Sequence, residues 1–173
     1  AASDVYKRQC LVWACPAHYY TNFTYWTQHC WGVTCVNDME AMLSYLPIST
    51  DNKDQALADL VRCYERMMMR SHTNGGYVNL LDECWKMCEK FHTNIVIMYD
   101  HVSCKNVGGL HGLFEDQARE RGIHLIWIPH DVMDPRTVSR REMREAFSQY
   151  MVTVLNEKPL DPTLLDYEDA LSW

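Results

Sequence analysis

Apolar residues in this chain gather into four short runs separated by longer stretches with helical spacing. The runs are residues 10–15 (Cys10-Leu11-Val12-Trp13-Ala14-Cys15), 33–37, 94–99 (Asn94-Ile95-Val96-Ile97-Met98-Tyr99) and 124–129 (His124-Leu125-Ile126-Trp127-Ile128-Pro129). None alternates between apolar and polar. A strand that is apolar on both faces belongs in a parallel sheet covered by helices on both sides. Between the runs, residues 18–30 place Phe23, Trp26 and Cys30 on one stripe, and residues 52–70 repeat Leu57, Leu60, Val61, Tyr64, Met67 and Met68. Residues 79–91 repeat Leu81, Cys84, Trp85, Cys88 and Phe91, and residues 110–121 carry Leu110, Leu113 and Phe114. Residues 139–155 carry Met143, Phe147, Tyr150, Met151 and Val154. This spacing predicts five amphipathic helices with these residues in the core. Ser139-Arg140-Arg141-Glu142 reads as a capping box, Gly122 as a helix stop, and Thr73-Asn74-Gly75-Gly76 as a turn. Strands alternating with helices predict right-handed βαβ crossovers. The expected fold is α/β, a Rossmann-like three-layer sandwich with a short, mainly parallel sheet of about four strands.

Composition narrows the function. The chain has 173 residues, 8 of them cysteine, and a formal net charge of -7. An acidic balance argues against a nucleic-acid binder, which usually presents a basic face. No apolar run reaches the roughly 18–20 residues of a membrane span, and no secretory signal is visible. The expected location is the cytoplasm, where clustered cysteines serve as buried thiols, metal ligands or catalytic groups. The polar opening reads as a foreign leader over residues 1–9. An α/β domain is expected over residues 10–155 and a Pro-bearing tail over residues 156–173, whose end could pack back as an arm or touch a partner.

Two loops follow buried strands and could carry chemistry. The first is Asp100-His101-Val102-Ser103-Cys104-Lys105-Asn106-Val107-Gly108-Gly109. Ligands of open α/β sheets bind outside the carboxyl ends of the strands, where this loop lies. Gly108 and Gly109 allow close backbone approach, and the amides opening the next helix favour an anion or an electron-rich cluster. Cys104 beside Lys105, near a helix start, is placed to form the thiolate that an iron–sulfur cluster needs. A Gly-rich turn with an incidental cysteine is the competing reading. The second loop is Pro129-His130-Asp131-Val132-Met133-Asp134-Pro135-Arg136. Asp131, Asp134 and Arg136 could orient a neighbouring loop, hold a polar substrate, or fix a turn.

These residues carry a family resemblance. Ile97-Met98-Tyr99-Asp100-His101-Val102-Ser103-Cys104-Lys105, a Glu/Gln/Arg-rich helix ending at Gly122, an apolar strand, and His130-Asp131-x-x-Asp134-Pro135-Arg136 resemble the 2-hydroxyacyl-CoA dehydratase family, which includes benzoyl-CoA reductase subunits. The resemblance is to the C-terminal domain of one large subunit. It spans roughly residues 10–155, is specific around 94–147 and weak in 38–72. It implies a lyase subunit with two α/β domains that hold a 4Fe-4S cluster in the cleft between them. Three cysteines bind the cluster and one iron stays open. Cys104 matches the third of these cysteines, and the other two belong to an N-terminal domain. The implied reaction is radical elimination of water from a 2-hydroxyacyl-CoA, started by one electron from an ATP-dependent iron–sulfur activator protein. The implied partners are that activator, a second dehydratase subunit in a heterodimer, and the acyl-CoA substrate. His18, His101, Ser103, Lys105, Asn106, Gly108, Gly109, Asp131, Asp134 and Arg136 are the expected cleft or supporting residues. Neither a nucleic acid nor a membrane is expected as partner.

Other groups have plainer readings. Cys84 and Cys88 share a helix face and read as core, as do Cys10 and Cys63. Cys15 ends a strand next to Pro16 and could face the cleft. Cys30 and Cys35 flank a turn without histidines at zinc spacing. Arg140, Arg141 and Arg144 form a stripe that either meets solvent or meets CoA phosphates. A reductase-type subunit and a non-catalytic α/β scaffold remain the alternative functions. The lack of a Cys-x-x-Cys disfavours a thiol oxidoreductase.

Overall fold

A computed structural model describes residues 8–40 and 46–166. Its sheet has four strands: β1 (Arg8–Trp13), β2 (Val33–Asp38), β3 (Ile95–His101) and β4 (His124–His130). They are hydrogen-bonded in the order β2-β1-β3-β4, and every pair is parallel. The expected sheet is therefore present. Its strands extend one or two residues beyond several expected ends, and β1 stops two residues before its expected end at Cys15. Arg8 and Gln9, expected in the leader, are the first rungs of β1, and Arg8 pairs with Glu157 at 2.8 Å. His130, expected in the loop, completes β4 after Pro129. Proline is accommodated there because β4 is an edge strand.

The helices are α1 (Phe23–Trp31), α2 (Lys53–Glu65), α3 (Met68–Phe91), a single turn α4 (Lys105–Gly108), α5 (His111–Arg121) and α6 (Arg140–Thr153). β1 leads through α1 to β2, and the chain then crosses back over β1 to reach β3. Right-handed crossovers of opposite direction place their helices on opposite faces. Accordingly, α1 and α6 meet through Phe23, Trp26 and Phe147, whose ring centroids lie 5.6–5.9 Å apart. On the other face α3 and α5 meet through Trp85 and Phe114 at 5.7 Å. The result is the three-layer α/β fold.

Helix ends follow local chemistry. Ser139 accepts from the Glu142 amide while the Glu142 carboxylate accepts from the Ser139 amide, which is the expected capping box. Gly122 ends α5 in the left-handed region at φ 66°, where a side chain would be strained. Helix α1 begins at Phe23 rather than residue 18, because the Tyr20 amide turns back onto the Ala17 carbonyl and the Phe23 amide onto the Tyr20 carbonyl. The expected turn at residues 73–76 is narrower: α3 runs through it and breaks only at Gly76, with φ 76° and ψ 178°.

Several expectations fail, and Leu113 on α5 and Val154 after α6, expected in the core, are exposed. The stripe on α2 is exposed, and the helix turns Asp59 inward instead. Cys63 is correspondingly half-buried, with its thiol near the Leu46 carbonyl. The arginine stripe on α6 is a solvated face only at Arg141, which is exposed. Arg144 is buried and donates to the Tyr20 hydroxyl, Arg140 donates to the Tyr19 carbonyl, and Arg141 pairs with Glu145. Cys10, Cys30, Cys84 and Cys88 are buried in the core. The chain end at residues 167–173 lies outside the described residues.

Candidate functional site

The strand order reverses between β1 and β3, so their carboxyl ends define the crevice where ligands of this architecture bind. A cavity of about 170 Å³ lies there. From the β1 side it is lined by Ala14 and Cys15, and from the β3 side by Tyr99, His101, Cys104 and Asn106. His130 of β4 and His72 of α3 complete its polar lining. A larger cavity of about 720 Å³ opens around Trp85, His92, Thr93 and Arg121, near the starts of β3 and β4. It lies at the opposite end of the strands, away from Cys104, and volume alone does not make it the site.

The chain leaves β1 through a strained residue. Ala14 has φ 65°, a region that costs a non-glycine residue roughly 1 kcal/mol or more. This turn brings Cys15 to the cavity. Burial, then a hydrogen bond to and the charge of Glu40, push the Cys15 thiol up to about 12. Cys15 is therefore held as a neutral thiol at pH 7. Its sulfur lies 3.9 Å from His18 Nε2, and the His18 amide donates to the Val132 carbonyl at 2.9 Å. The loop after β1 is thus tied to the loop after β4.

The loop after β3 is compact. The Cys104 amide donates to the His101 carbonyl at 2.8 Å, and Cys104 precedes α4 as a half-buried residue. The Ser103 amide donates to His101 Nδ1 at 3.3 Å. In the neutral ring the proton then sits on Nε2. Lys105, Asn106, Gly108 and Gly109 are exposed. Gly109 is glycine for space: a Cβ there would sit 2.9 Å from the Lys105 carbonyl oxygen, and its φ of −69° needs no left-handed freedom. At the start of α5, His111 stacks on Trp127 at 3.5 Å, and its Nε2 lies 3.2 Å from Asp100.

Of the expected site residues, the structure brings His101, Cys104 and Asn106 onto one cavity and His18 onto Cys15. Ser103 supports His101 from behind. Asp131, Asp134 and Arg136 do not line the cavity. Asp131 accepts from the Met133 and Asp134 amides, and Asp134 is gripped by the Arg136 guanidinium and amide. That grip, mainly the guanidinium, holds the Asp134 carboxyl down at about 2. These three residues shape the loop that anchors His18.

Sequence reasoning missed His72, His130 and Tyr99 as cavity residues. His101 and His130 are register partners on β3 and β4, and their rings lie 5.5 Å apart. Two apolar runs that each end in histidine were the available signal.

A family model described as HGD-D, 2-hydroxyglutaryl-CoA dehydratase, D-component, matches residues 3–151. The chain belongs to this dehydratase family. Searches of curated proteins and of solved structures gave no match. The dehydratase match covers every strand, α1 to α5 and nearly all of α6. Among the described residues no group of three or more His, Cys, Asp or Glu is arranged to hold a metal ion. The donor chemistry therefore fits one corner of an iron–sulfur cluster, a thiol at the cavity, and not a complete ligand set. No helix of the described residues is long and apolar enough to cross a membrane.

Proposed function

We propose that residues 10–155 are the C-terminal α/β domain of a 2-hydroxyacyl-CoA dehydratase subunit, and that Cys104 supplies one thiolate to a 4Fe-4S cluster. The observation that carries this reading is the position of Cys104: on a loop after a central strand, at the cavity where the strand order reverses, within the dehydratase match. Cys15 is the weaker candidate ligand. A ligating thiol must lose its proton, and burial together with Glu40 opposes that loss. When bound, such a cluster supplies one-electron chemistry and a Lewis-acidic iron for loss of water from the substrate.

The chain's own residues have three tasks. The strained Ala14 and the His18–Val132 bond fix the cavity wall opposite Cys104. The Ser103 amide orients His101, leaving Nε2–H to donate toward a ligand oxygen. Tyr99 and the imidazoles form the polar floor. A component description implies further subunits. We assign these to a second dehydratase subunit and an ATP-dependent iron–sulfur activator in the cytoplasm, with an acyl-CoA as substrate.

The test is anaerobic production of the full subunit with iron and sulfide quantified. Cys104→Ala should lower cluster content and Cys15→Ala should spare it. Unchanged iron and sulfide in Cys104→Ala would sink the assignment.

A further inference from the structure

The cavity beneath the Cys104 loop holds three imidazole nitrogens without partners. His130 is 0% exposed, and neither Nδ1 nor Nε2 has a hydrogen-bond partner. His72 is 8% exposed, and its Nε2 has none. The backbone at Cys15, Asp100 and Ile128 is close enough to the His130 ring to favour its protonated form, yet neither ring nitrogen is paired with it. Buried polar atoms in folded proteins are nearly always paired, and an exception calls for a physical cause. Here both rings line the same cavity, so whatever occupies the cavity is their partner. Its volume, about 170 Å³, accommodates roughly five waters or one small organic group.

The charge around the cavity decides what that group is. No lysine or arginine is among the described residues that line it. Burial lowers the proton affinity of both His72 and His130, and the charge of His101 lowers that of His130 further. Both are neutral at pH 7, so each ring offers one donor and one acceptor. The carboxylates that act on these side chains are Glu40 at Cys15, Glu83 facing His72 and Asp131 facing His101, while the cation beside the lining, Lys105, is exposed and is not part of it. A carboxylate entering this space would lose water without gaining a cation, which is costly. A hydroxyl or a carbonyl would satisfy the rings without that cost.

We propose that this cavity binds an uncharged hydroxyl- or carbonyl-bearing group and rejects a carboxylate. Taken with the dehydratase reading, on which the thioester part rests, the acyl group is a short 2-hydroxyacyl chain without a second carboxylate. His72 and His130 are then specificity-determining residues.

The test titrates the full chain with two N-acetylcysteamine thioesters, of 2-hydroxyhexanoate and of 2-hydroxyglutarate. Calorimetry gives the affinities, and NMR follows the His72 and His130 ring resonances. The uncharged thioester should bind at least tenfold more tightly and shift both rings. His130→Leu should weaken it about tenfold, the size of one lost hydrogen bond, and His130→Asn should recover part of the loss. If His130→Leu does not fold, His72→Leu reads the same contact. Asn106→Arg, placing a cation at the exposed rim, should bring the glutaryl thioester level with the other. Equal or tighter binding of the glutaryl thioester to the unaltered chain overturns the proposal. So does binding of neither thioester, or binding that leaves both rings unmoved. Failure of the cluster reading is distinguishable, because it appears as iron content independent of Cys104 while the discrimination between the thioesters persists.

Discussion

Helices α6 and α2 carry apolar stripes of the same kind, and the fold treats them oppositely. On α6, Met143, Phe147 and Met151 are buried against β4 and α1. On α2, Leu57 is 65%, Val61 53% and Tyr64 60% exposed, while the inward residue is Asp59. The difference lies in what surrounds each helix. Helix α6 follows β4 after a short loop and starts at a capping box, so its apolar side returns onto the sheet. Helix α2 sits in the long connection between β2 and α3 and is held by polar contacts. Asp59 accepts from the Ser49 amide, the Gln55 amide group and the Arg62 guanidinium. Helical spacing identifies an apolar side. Whether another element covers that side is a long-range property of the fold.

The sharpest way to break the comparison is at Phe147, which is wholly buried among Phe23 and Trp26. Phe147→Ala removes a large ring from this cluster and should cost about 3–5 kcal/mol in urea denaturation. A loss below about 1 kcal/mol would mean that the α1–α6 layer is not packed as described. The next effect is at the start of α6. Ser139→Ala deletes the side-chain half of the capping box and should cost about 1 kcal/mol. Ser139→Asp, which keeps an acceptor, should recover most of it.

Asp59 tests what holds α2. The Ser49 amide first, then the Gln55 side chain, pull its carboxyl below the ordinary value of 3.8. The folded chain therefore binds fewer protons than the unfolded chain between that lowered value and 3.8. The contribution is fully present above 3.8 and is lost as the pH falls through the lowered value. Amide exchange in α2, after correction for the intrinsic pH dependence, should accelerate across that window. Asp59→Asn should produce the same local acceleration at neutral pH. Exchange in β1 and β3 should stay unchanged in both experiments, since α2 packs outside the sheet's core. Protection that falls equally in the strands would show that α2 is part of the main cooperative unit.

The same contrast accounts for what the sequence reveals and what it hides. Four doubly apolar runs make the parallel sheet legible, because a short run that is apolar on both faces fits a strand covered by helices on both sides. The capping box and the Gly122 stop are legible because they are local. Cys104 and His101 are legible as residues of a loop after a strand. The cavity's remaining lining is not, since it joins β1, β4 and α3 across more than a hundred residues. His72 lies on α3, just before the break at Gly76, and only the packed structure brings it near Trp13, with their rings 5.7 Å apart. Asp131, Asp134 and Arg136 mislead for the converse reason. Their residue types suit a site, yet their hydrogen bonds are spent within one loop.

The smallest expected effect is the one that tests the exposed stripe itself. Leu57→Gln combined with Val61→Gln replaces two apolar residues on α2 without touching Asp59. Glutamine and leucine have similar helix propensities, and valine is slightly worse than both. The two side chains bury little, so little transfer energy is lost. Stability should change by less than about 0.5 kcal/mol in urea denaturation. A loss of several kcal/mol would show that Leu57 and Val61 are covered in the folded chain, which would make α2 a core helix like α6. A neutral result would leave the two helices as opposite outcomes of one sequence pattern, separated only by what each packs against.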